Sequence, residues 1–349
     1  MKMEVLRKEL RLVRAWAIAT DVGKTAKTAN TVFIVRLTDK DGVVGLGEAS
    51  PPSRYGENAT TVEPFLAKVD PARLSFDDIP GSMAYLETVA PGNYSAKNGI
   101  NIALVDAAAR KAGKAVYDYL GLGFQENKHI TSLTIGIDKP EIIREKVLEA
   151  AQYPVLKLKV GAPDDRQNML ALREAAPTKT VRVDGNEGWK TKEEALDNIE
   201  WFAKDGHVEY VEQPMPRSTD PKDLRWLKER SPLPLFADES YIHVTDLDQC
   251  LDCFHGVNVK LVKTGGITPA FEALTAARKA GLKTMIGCMI ESSVLITAAA
   301  HLAELANHLD IDGNLLIAND PYIGSTAENG VVSFAHTPEK LGLRVRERC

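Results

Sequence analysis

The pattern of apolar and polar positions changes character near residue 125. Before residue 50 it runs at the period of a strand, with β-rich runs at Val5–Val13, Thr31–Thr38 and Val43–Ala49. Asp39-Lys40-Asp41-Gly42 reads as the hairpin turn between the second and third runs. Gly45 and Gly47 fit hairpin geometry better than a nucleotide-binding loop, because no helix opens behind them. Helical periodicity follows around Thr61–Val69, Ser82–Val89, Ser95–Lys111 and Val116–Leu120, the last closing at Gly121. Strands followed by a run of helices predict an α+β domain. Gly121–Lys128, with two glycines and few apolar residues, is the expected boundary.

Beyond it, strand and helix patterns alternate. Strands are expected at Ile130–Ile137, Val155–Val160, Thr180–Val183, Val208–Val211, Leu235–Ala237, Val257–Leu261, Lys283–Ile286 and Ile311–Leu316. Helices between them are expected at Pro140–Ala151, Arg166–Ala175, Lys192–Lys204, Pro221–Glu229, Pro269–Ala280 and Ser292–Asn307. Eight strands with intervening helices define an α/β fold with a parallel barrel, whose active site lies where strands end and loops begin. The last stretch, Asn329–Cys349, has strand character at Gly330–Phe334 and is expected to return to the first domain. The expected division is thus 1–125, 126–328 and 329–349.

One stretch gives this scaffold its chemistry. Tyr153-Pro-Val-Leu-Lys157-Leu-Lys159-Val-Gly161 alternates, placing Val155, Lys157 and Lys159 on one face and Leu156, Leu158 and Val160 on the other. Taken alone, it reads as a solvated antiparallel strand. After Lys159, however, an ionisable residue recurs at each following strand end: Asp184, Glu212, Asp238 and Lys260. The steps are 25, 28, 26 and 22 residues. Each is about one strand-plus-helix unit of a barrel in which roughly 250 residues make eight units.

Singly, each acid has a local explanation: Asp184-Gly-Asn as a turn, Glu212 as a strand end, Asp238 as a helix cap. Together at consecutive strand ends they form three hard oxygen ligands, suited to a divalent cation that keeps positions for water and substrate. With no histidine or cysteine among them, Mg²⁺ is the expected ion. Lys159 on the second strand and Lys260 on the sixth would then face one another across it. A cation there can hold a substrate carboxylate and stabilise the enediolate formed when an α-proton leaves. A lysine base needs a lowered pKa, and Lys157 and the metal supply nearby positive charge for that. Two opposed bases imply removal from one face and delivery to the other, which inverts a stereocentre.

Composition narrows the alternatives. Apolar residues make up 44% and charged residues 26%, ordinary for a globular chain with a large core. A net charge of −5 argues against a general nucleic-acid or anionic-membrane binder. Met1–Thr20 lacks the apolar run of a signal peptide, and the Ala-rich stretch from Val294 is broken by His301 and Glu304. A cytoplasmic protein is expected. Four cysteines do not make a disulfide framework, and Cys250-x-x-Cys253 reads as helical packing rather than a zinc site.

The set Lys157-x-Lys159, Asp184-Gly-Asn186, Glu212-Gln-Pro, Asp238-Glu-Ser and Asn258-Val-Lys260 resembles the muconate-lactonizing branch of the enolase superfamily. The resemblance covers nearly the whole chain. It implies an enolase-like fold, with an N-terminal α+β capping domain and a modified TIM barrel, (β/α)7β. It also implies one Mg²⁺ per subunit on Asp184, Glu212 and Asp238, with Lys159 and Lys260 as the acid/base pair. The branch holds cycloisomerases, o-succinylbenzoate synthases, N-acylamino acid racemases and dipeptide epimerases, so the scaffold does not decide the reaction.

Asp310-Ile-Asp312-Gly313, at the eighth strand, does more. An EF-hand is excluded by its missing third ligand and distal Glu. In dipeptide epimerases an Asp-x-Asp here binds the substrate's α-ammonium, which needs anionic partners in a desolvated pocket. Gly287-Cys-Met289-Ile-Glu291-Ser resembles the seventh-strand loop of that subgroup. The resemblance therefore implies Mg²⁺-dependent epimerisation of a dipeptide at the α-carbon of its C-terminal residue. Substrate contacts are expected from Lys157, Asp310, Asp312, Met289, Glu291, Thr134 and Lys24. In the family, capping-domain loops reach the substrate's side chain; here that loop is Thr20–Thr28, and Lys24 and Lys27 suggest an L-Ala-D/L-Glu-type substrate. The rivals are a cycloisomerase or succinylbenzoate synthase, against which Asp310 and Asp312 speak, and a barrel that only binds ligand. A homo-oligomer is expected, with a small-molecule dipeptide as partner and neither nucleic acid nor membrane.

Overall fold

A computed structural model describes residues 1–19 and 26–348. The first part is an antiparallel meander of β1 (Lys2–Trp16), β2 (Lys27–Thr38) and β3 (Val44–Ala49). Its Val32–Val35 run is buried throughout, because both faces of the sheet are covered. One cover is the helix Tyr94–Lys111, almost wholly buried. A Cβ at Gly45 or Gly47 would collide with the carbonyl oxygens of Ala103 and Gly99 in that helix. The two glycines thus serve close sheet–helix packing.

The second part is an eight-stranded parallel sheet, β4 to β11 in sequential order: Leu133–Ile135, Val155–Lys159, Thr180–Asp184, Val208–Glu212, Leu235–Ala237, Gly256–Val259, Lys283–Gly287 and His308–Asp310. A parallel bridge between Thr131 and Leu309 brings β11 back to the start, supported by Ser132 N–H donating to Leu309 O at 3.2 Å. A helical segment fills each of the seven gaps between strands, whereas the one helical element after β11 among the described residues is a short 3₁₀ turn, Gly313–Leu316. This is the (β/α)7β architecture. Alternation along each strand layers the interior. Tyr210, Phe236 and Met285 form a buried apolar cluster, while Glu212, Asp238 and Gly287, two residues further along, stand at the mouth.

Three elements differ from the sequence expectation. The eighth strand is His308–Asp310, not Ile311–Leu316. The apolar run Leu315–Ile317 instead packs on β1: Ile317 bridges to Leu12 and clusters with Leu10 and Val32, and Ala318 N–H donates to Arg11 O at 2.8 Å. Of Ile130–Ile137, only Leu133–Ile135 is a continuous barrel strand: Thr131 reaches the barrel by its single bridge to Leu309, and Ile130 pairs antiparallel with Val331. The last barrel helix is Ser293–Ala300, shorter than Ser292–Asn307. His301 ends it by taking Tyr117 N–H on Nδ1 at 3.2 Å, while its Nε2 lies 3.0 Å from Leu343 O.

The C-terminal stretch lies against the helix Tyr94–Lys111 and its successor. Leu343 N–H donates to the buried Asp106 at 2.7 Å, and Gly342 exchanges backbone bonds with Lys114 and Val116. Among the described residues, no helix is long and apolar enough to cross a membrane.

Candidate active site

The residues marked by the 22- to 28-residue rhythm meet at the barrel mouth. Asp184 ends β6, Glu212 ends β7, and Asp238 follows β8. All three are fully buried, and each offers one carboxylate oxygen within 4.8 Å of the others. Fixed donors orient them: Asn186 N–H to Asp184 Oδ1 at 2.9 Å, Asn258 Nδ2 to Glu212 Oε1 at 2.7 Å, and Lys263 Nζ to Asp238 Oδ1 at 2.6 Å. Glu212 Oε2 receives no well-aligned hydrogen bond although Lys157 Nζ is 2.7 Å away. Three buried carboxylates with an unsatisfied oxygen among them fit a hard divalent cation such as Mg²⁺.

The three expected lysines thread through this cluster. Lys157 Nζ lies 2.6 Å from Asp310, 2.7 Å from Glu212 and 2.9 Å from Asp184. Lys159 Nζ donates to Asp184 Oδ2 at 2.6 Å, and Lys260 Nζ to Asp238 Oδ2 at 2.8 Å. Burial opposes the charge of Lys157, but Asp184, Asp310 and Glu212 outweigh it and hold the ammonium well above the lysine range. Burial would likewise lower Lys260, yet Asp238 and Glu212 raise it. The carboxylates beside it thus outweigh both the burial penalty and the nearby Lys157. Burial, with Asp184 nearby, pushes Glu212 up to about 7. For Asp184, Lys157 and Lys159 overcome the burial penalty and hold it below its usual range.

Lys159, Lys260, Thr134, Met289, Asp310 and Asp312 all line one cavity of about 480 Å³. Asp310 takes hydrogen bonds from Lys157 and from Ser132 Oγ at 2.6 Å. Among the described residues, no cation lies within ion-pair distance of Asp312. Asp312 accepts Thr134 N–H at 2.6 Å, and burial together with Asp310 pushes it up to about 6. The opposite wall comes from the first part of the chain: Trp16, Ile18, Lys27, Pro51, Pro52, Arg54 and Tyr55.

Two expected contacts are placed elsewhere. Lys157 is 1% exposed and is turned to the carboxylates rather than to the cavity. Glu291 is buried off the cavity, where it accepts Met289 N–H at 3.0 Å and burial pushes it up to about 8. It shapes its own loop, which Asn30 and Ser50 also grip through Ile290 O at 2.8 and 3.0 Å. Lys24 lies outside the described residues. The cysteine pair is packing: Cys250 and Cys253 are buried in the helix Leu247–Cys253, each facing a backbone carbonyl at 3.5 Å.

Sequence reasoning missed Lys263, Glu239 and Arg54. Lys263 had a legible sign, a charge three residues after Lys260 in an apolar run. Arg54 had none. It reaches from a loop of the first part to Glu239, to Glu187 at 3.5 Å and to Asn186 O at 3.0 Å.

A parallel barrel with three acidic strand ends between two lysines, capped by an α+β layer, defines a metal-assisted acid/base site of the enolase kind. Residues 143–343 match the family described as enolase C-terminal domain-like, and residues 7–121 match the mandelate racemase/muconate lactonizing enzyme N-terminal domain. The chain belongs to this family. It is 62% identical to an L-Ala-D/L-amino acid epimerase of Pedosphaera parvula, over all of both chains. It is 35% identical to an L-Ala-D/L-Glu epimerase of Bacteroides thetaiotaomicron, over 97% of this chain and 86% of that one. Among solved structures, it resembles a dipeptide epimerase of Enterococcus faecalis complexed with Mg and L-Leu-L-Tyr (TM-score 0.88, 29% identity, 98% of both chains). It also resembles a substrate-liganded L-Ala-D/L-Glu epimerase of Bacillus subtilis (TM-score 0.89, 29% identity, 98% of this chain and 97% of that one).

Proposed function

We propose that the chain is a Mg²⁺-dependent dipeptide epimerase, inverting the α-carbon of the C-terminal residue of L-Ala-initial dipeptides. The observation that carries the proposal is the shared cavity: Lys159 and Lys260, held by different carboxylates of one cluster, line it together with the Asp310/Asp312 pair. The names of the relatives, L-Ala-D/L-amino acid and L-Ala-D/L-Glu epimerases, point the same way.

In this proposal Asp312, with Asp310, receives the dipeptide's ammonium, which fixes the α-carbon between the two lysines. One lysine removes the α-proton and the other returns a proton to the opposite face. Mg²⁺ on Asp184, Glu212 and Asp238 would supply positive charge to the substrate carboxylate and against the raised Lys260. Lys157, charged and buried among Asp184, Glu212 and Asp310, acts as the fixed counter-ion that holds them in place.

The functional division proposed is a capping unit over 1–125, a catalytic barrel over 126–328 and a returning segment over 329–349. Residence in the cytoplasm and assembly as a homo-oligomer belong to the same proposal. Light scattering tests the latter.

The test of function is incubation with L-Ala-L-Glu, L-Ala-L-Phe and L-Ala-L-Lys in D₂O with Mg²⁺, read by mass spectrometry. Deuterium should enter once, at the C-terminal residue's α-carbon, together with the epimer. Absence of exchange across these and a wider L,L-dipeptide library would overturn the proposal.

A further inference from the structure

We propose that this cluster presents all three carboxylates as single-oxygen ligands, and that Lys263 and Asn258 are positioning residues that make it select Mg²⁺ over Ca²⁺. The inference rests on the metal site proposed above.

One oxygen of each ligand is already engaged by a donor that the fold holds in place. Asp184 Oδ1 accepts Asn186 N–H, Glu212 Oε1 accepts the Asn258 amide, and Asp238 Oδ1 accepts Lys263 Nζ, at 2.9, 2.7 and 2.6 Å. The second oxygens, Asp184 Oδ2, Glu212 Oε2 and Asp238 Oδ2, are the ones within reach of Lys157, Lys159 and Lys260. In all three carboxylates one oxygen is thus held by a donor of the surrounding fold, while the other faces the lysines that surround the cluster.

Lys263 is anchored independently of the carboxylate it holds. Its Nζ also donates to Asp238 O at 2.6 Å, Tyr241 O at 3.0 Å and Asn258 O at 3.1 Å, and the residue is 2% exposed. It thereby ties the end of β8 to β9 and shares Asn258 with the Glu212 contact. This buried ammonium does not line the main cavity, so substrate recognition does not account for it.

Mg²⁺ requires near-ideal octahedral geometry with short bonds, whereas Ca²⁺ takes six to eight oxygens and accepts carboxylates through both at once. A carboxylate with one oxygen tied back can serve the first ion fully. To serve the second bidentately, it must break a buried hydrogen bond, which leaves the Asn186 N–H or the Asn258 amide unpaired and costs Lys263 its one charged acceptor among the four. Outer partners of metal ligands typically change affinity by about 10- to 100-fold when removed.

The experiment measures Mg²⁺ and Ca²⁺ dissociation constants by titration calorimetry on the full chain without substrate, for wild type, Lys263→Met and Asn258→Ala. Asn258→Ala changes no charge, so it separates geometry from the stronger field left by losing an ammonium. Wild type should favour Mg²⁺, and each variant should lower the Mg²⁺/Ca²⁺ affinity ratio by roughly tenfold or more. An unchanged ratio in folded Asn258→Ala overturns the inference, and it decides alone should Lys263→Met fail to fold. Wild type binding neither ion would overturn the metal site and this inference with it. Wild type favouring Mg²⁺ with unaltered variants overturns this inference only.

Discussion

The cavity has two sides that are built differently. On the barrel side, the functional groups stand on or just beyond strand ends and are held by several buried bonds: Lys157 touches three carboxylates, and Lys263 has four acceptors. On the capping side, Trp16, Lys27, Pro51, Pro52 and Arg54 come from strand ends and one loop of the other layer, and Lys27 is exposed. The rigid side can place atoms to the tolerance that proton transfer needs. Apart from Arg54, which is tied to Glu239 and to Asn186 O, the capping side can vary without disturbing them. Reaction class and substrate choice are therefore separable in this fold, and mutations on the two sides should fail in different ways.

The largest effect should come from the metal ligands. Asp184→Asn, Glu212→Gln and Asp238→Asn each remove one of three negative charges and should weaken Mg²⁺ binding. A chelator should abolish turnover in wild type, and Mg²⁺ should restore it. Chelator-resistant turnover would break the comparison at its root, because the barrel side would then work without its organising ion.

Next are the lysines. Lys159→Ala and Lys260→Ala should each lower epimerisation by roughly 10²- to 10⁴-fold, the usual range for a general acid or base. Each should keep solvent exchange of the one epimer its remaining lysine reaches, visible as deuterium uptake without inversion. Full epimerisation by either variant would show that the two lysines are not the opposed pair.

The same contrast explains what was legible in the sequence. The barrel side was readable because its residues follow a rule: a charged group closing each apolar strand, repeated at the spacing of a strand and a helix. Thus Lys159, Asp184, Glu212, Asp238 and Lys260 were found from spacing alone. What escaped depends on tertiary choice. The run Leu315–Ile317 has a strand's composition but packs on β1, which displaced the eighth strand. Glu291 carries a carboxylate on the right loop, yet its rotamer points to Met289 N–H. Arg54 meets Glu239 only because two layers dock, and no periodicity links positions 54 and 239.

A smaller effect should separate the two aspartates. Asp310 is paired with Lys157, whereas Asp312 is held, among the described residues, by Thr134 and by the distant thiol of Cys288, 3.8 Å from Oδ1. Asp312→Asn should lower kcat/KM for dipeptides by roughly tenfold to a hundredfold, the value of a charge-assisted hydrogen bond. Burial and Asp310 push the Asp312 carboxyl up to about 6, so wild-type kcat/KM should fall as pH drops below about 6, where the ammonium's partner becomes neutral. That acid limb should be absent in Asp312→Asn. A carboxyl raised in the folded state costs stability as pH rises from the ordinary range through about 6. The variant should therefore melt no lower than wild type at pH 8, and a large drop would mark Asp312 as a structural group.

The smallest effect belongs to the capping side. Lys27 opens β2 opposite Trp16 and lines the cavity together with the apolar Ile18, Met289, Ile290 and Leu316 and the polar Asn30 and Ser50. Such a wall accepts apolar side chains by burial and acidic ones by charge, which suits a broad choice of C-terminal residue. Because Lys27 is exposed, its pairing with a glutamate side chain is screened by water and should be weak. Lys27→Ala should then lower kcat/KM for L-Ala-L-Glu by roughly fivefold or less, and leave L-Ala-L-Phe unchanged. A larger loss confined to L-Ala-L-Glu would mean that the ion pair is desolvated in the complex, where it is stronger. Equal losses on both dipeptides would assign Lys27 to shaping the wall rather than reading charge. No loss on either would leave any acidic preference to Lys24, outside the described residues, and the barrel side would stand unaltered in every case.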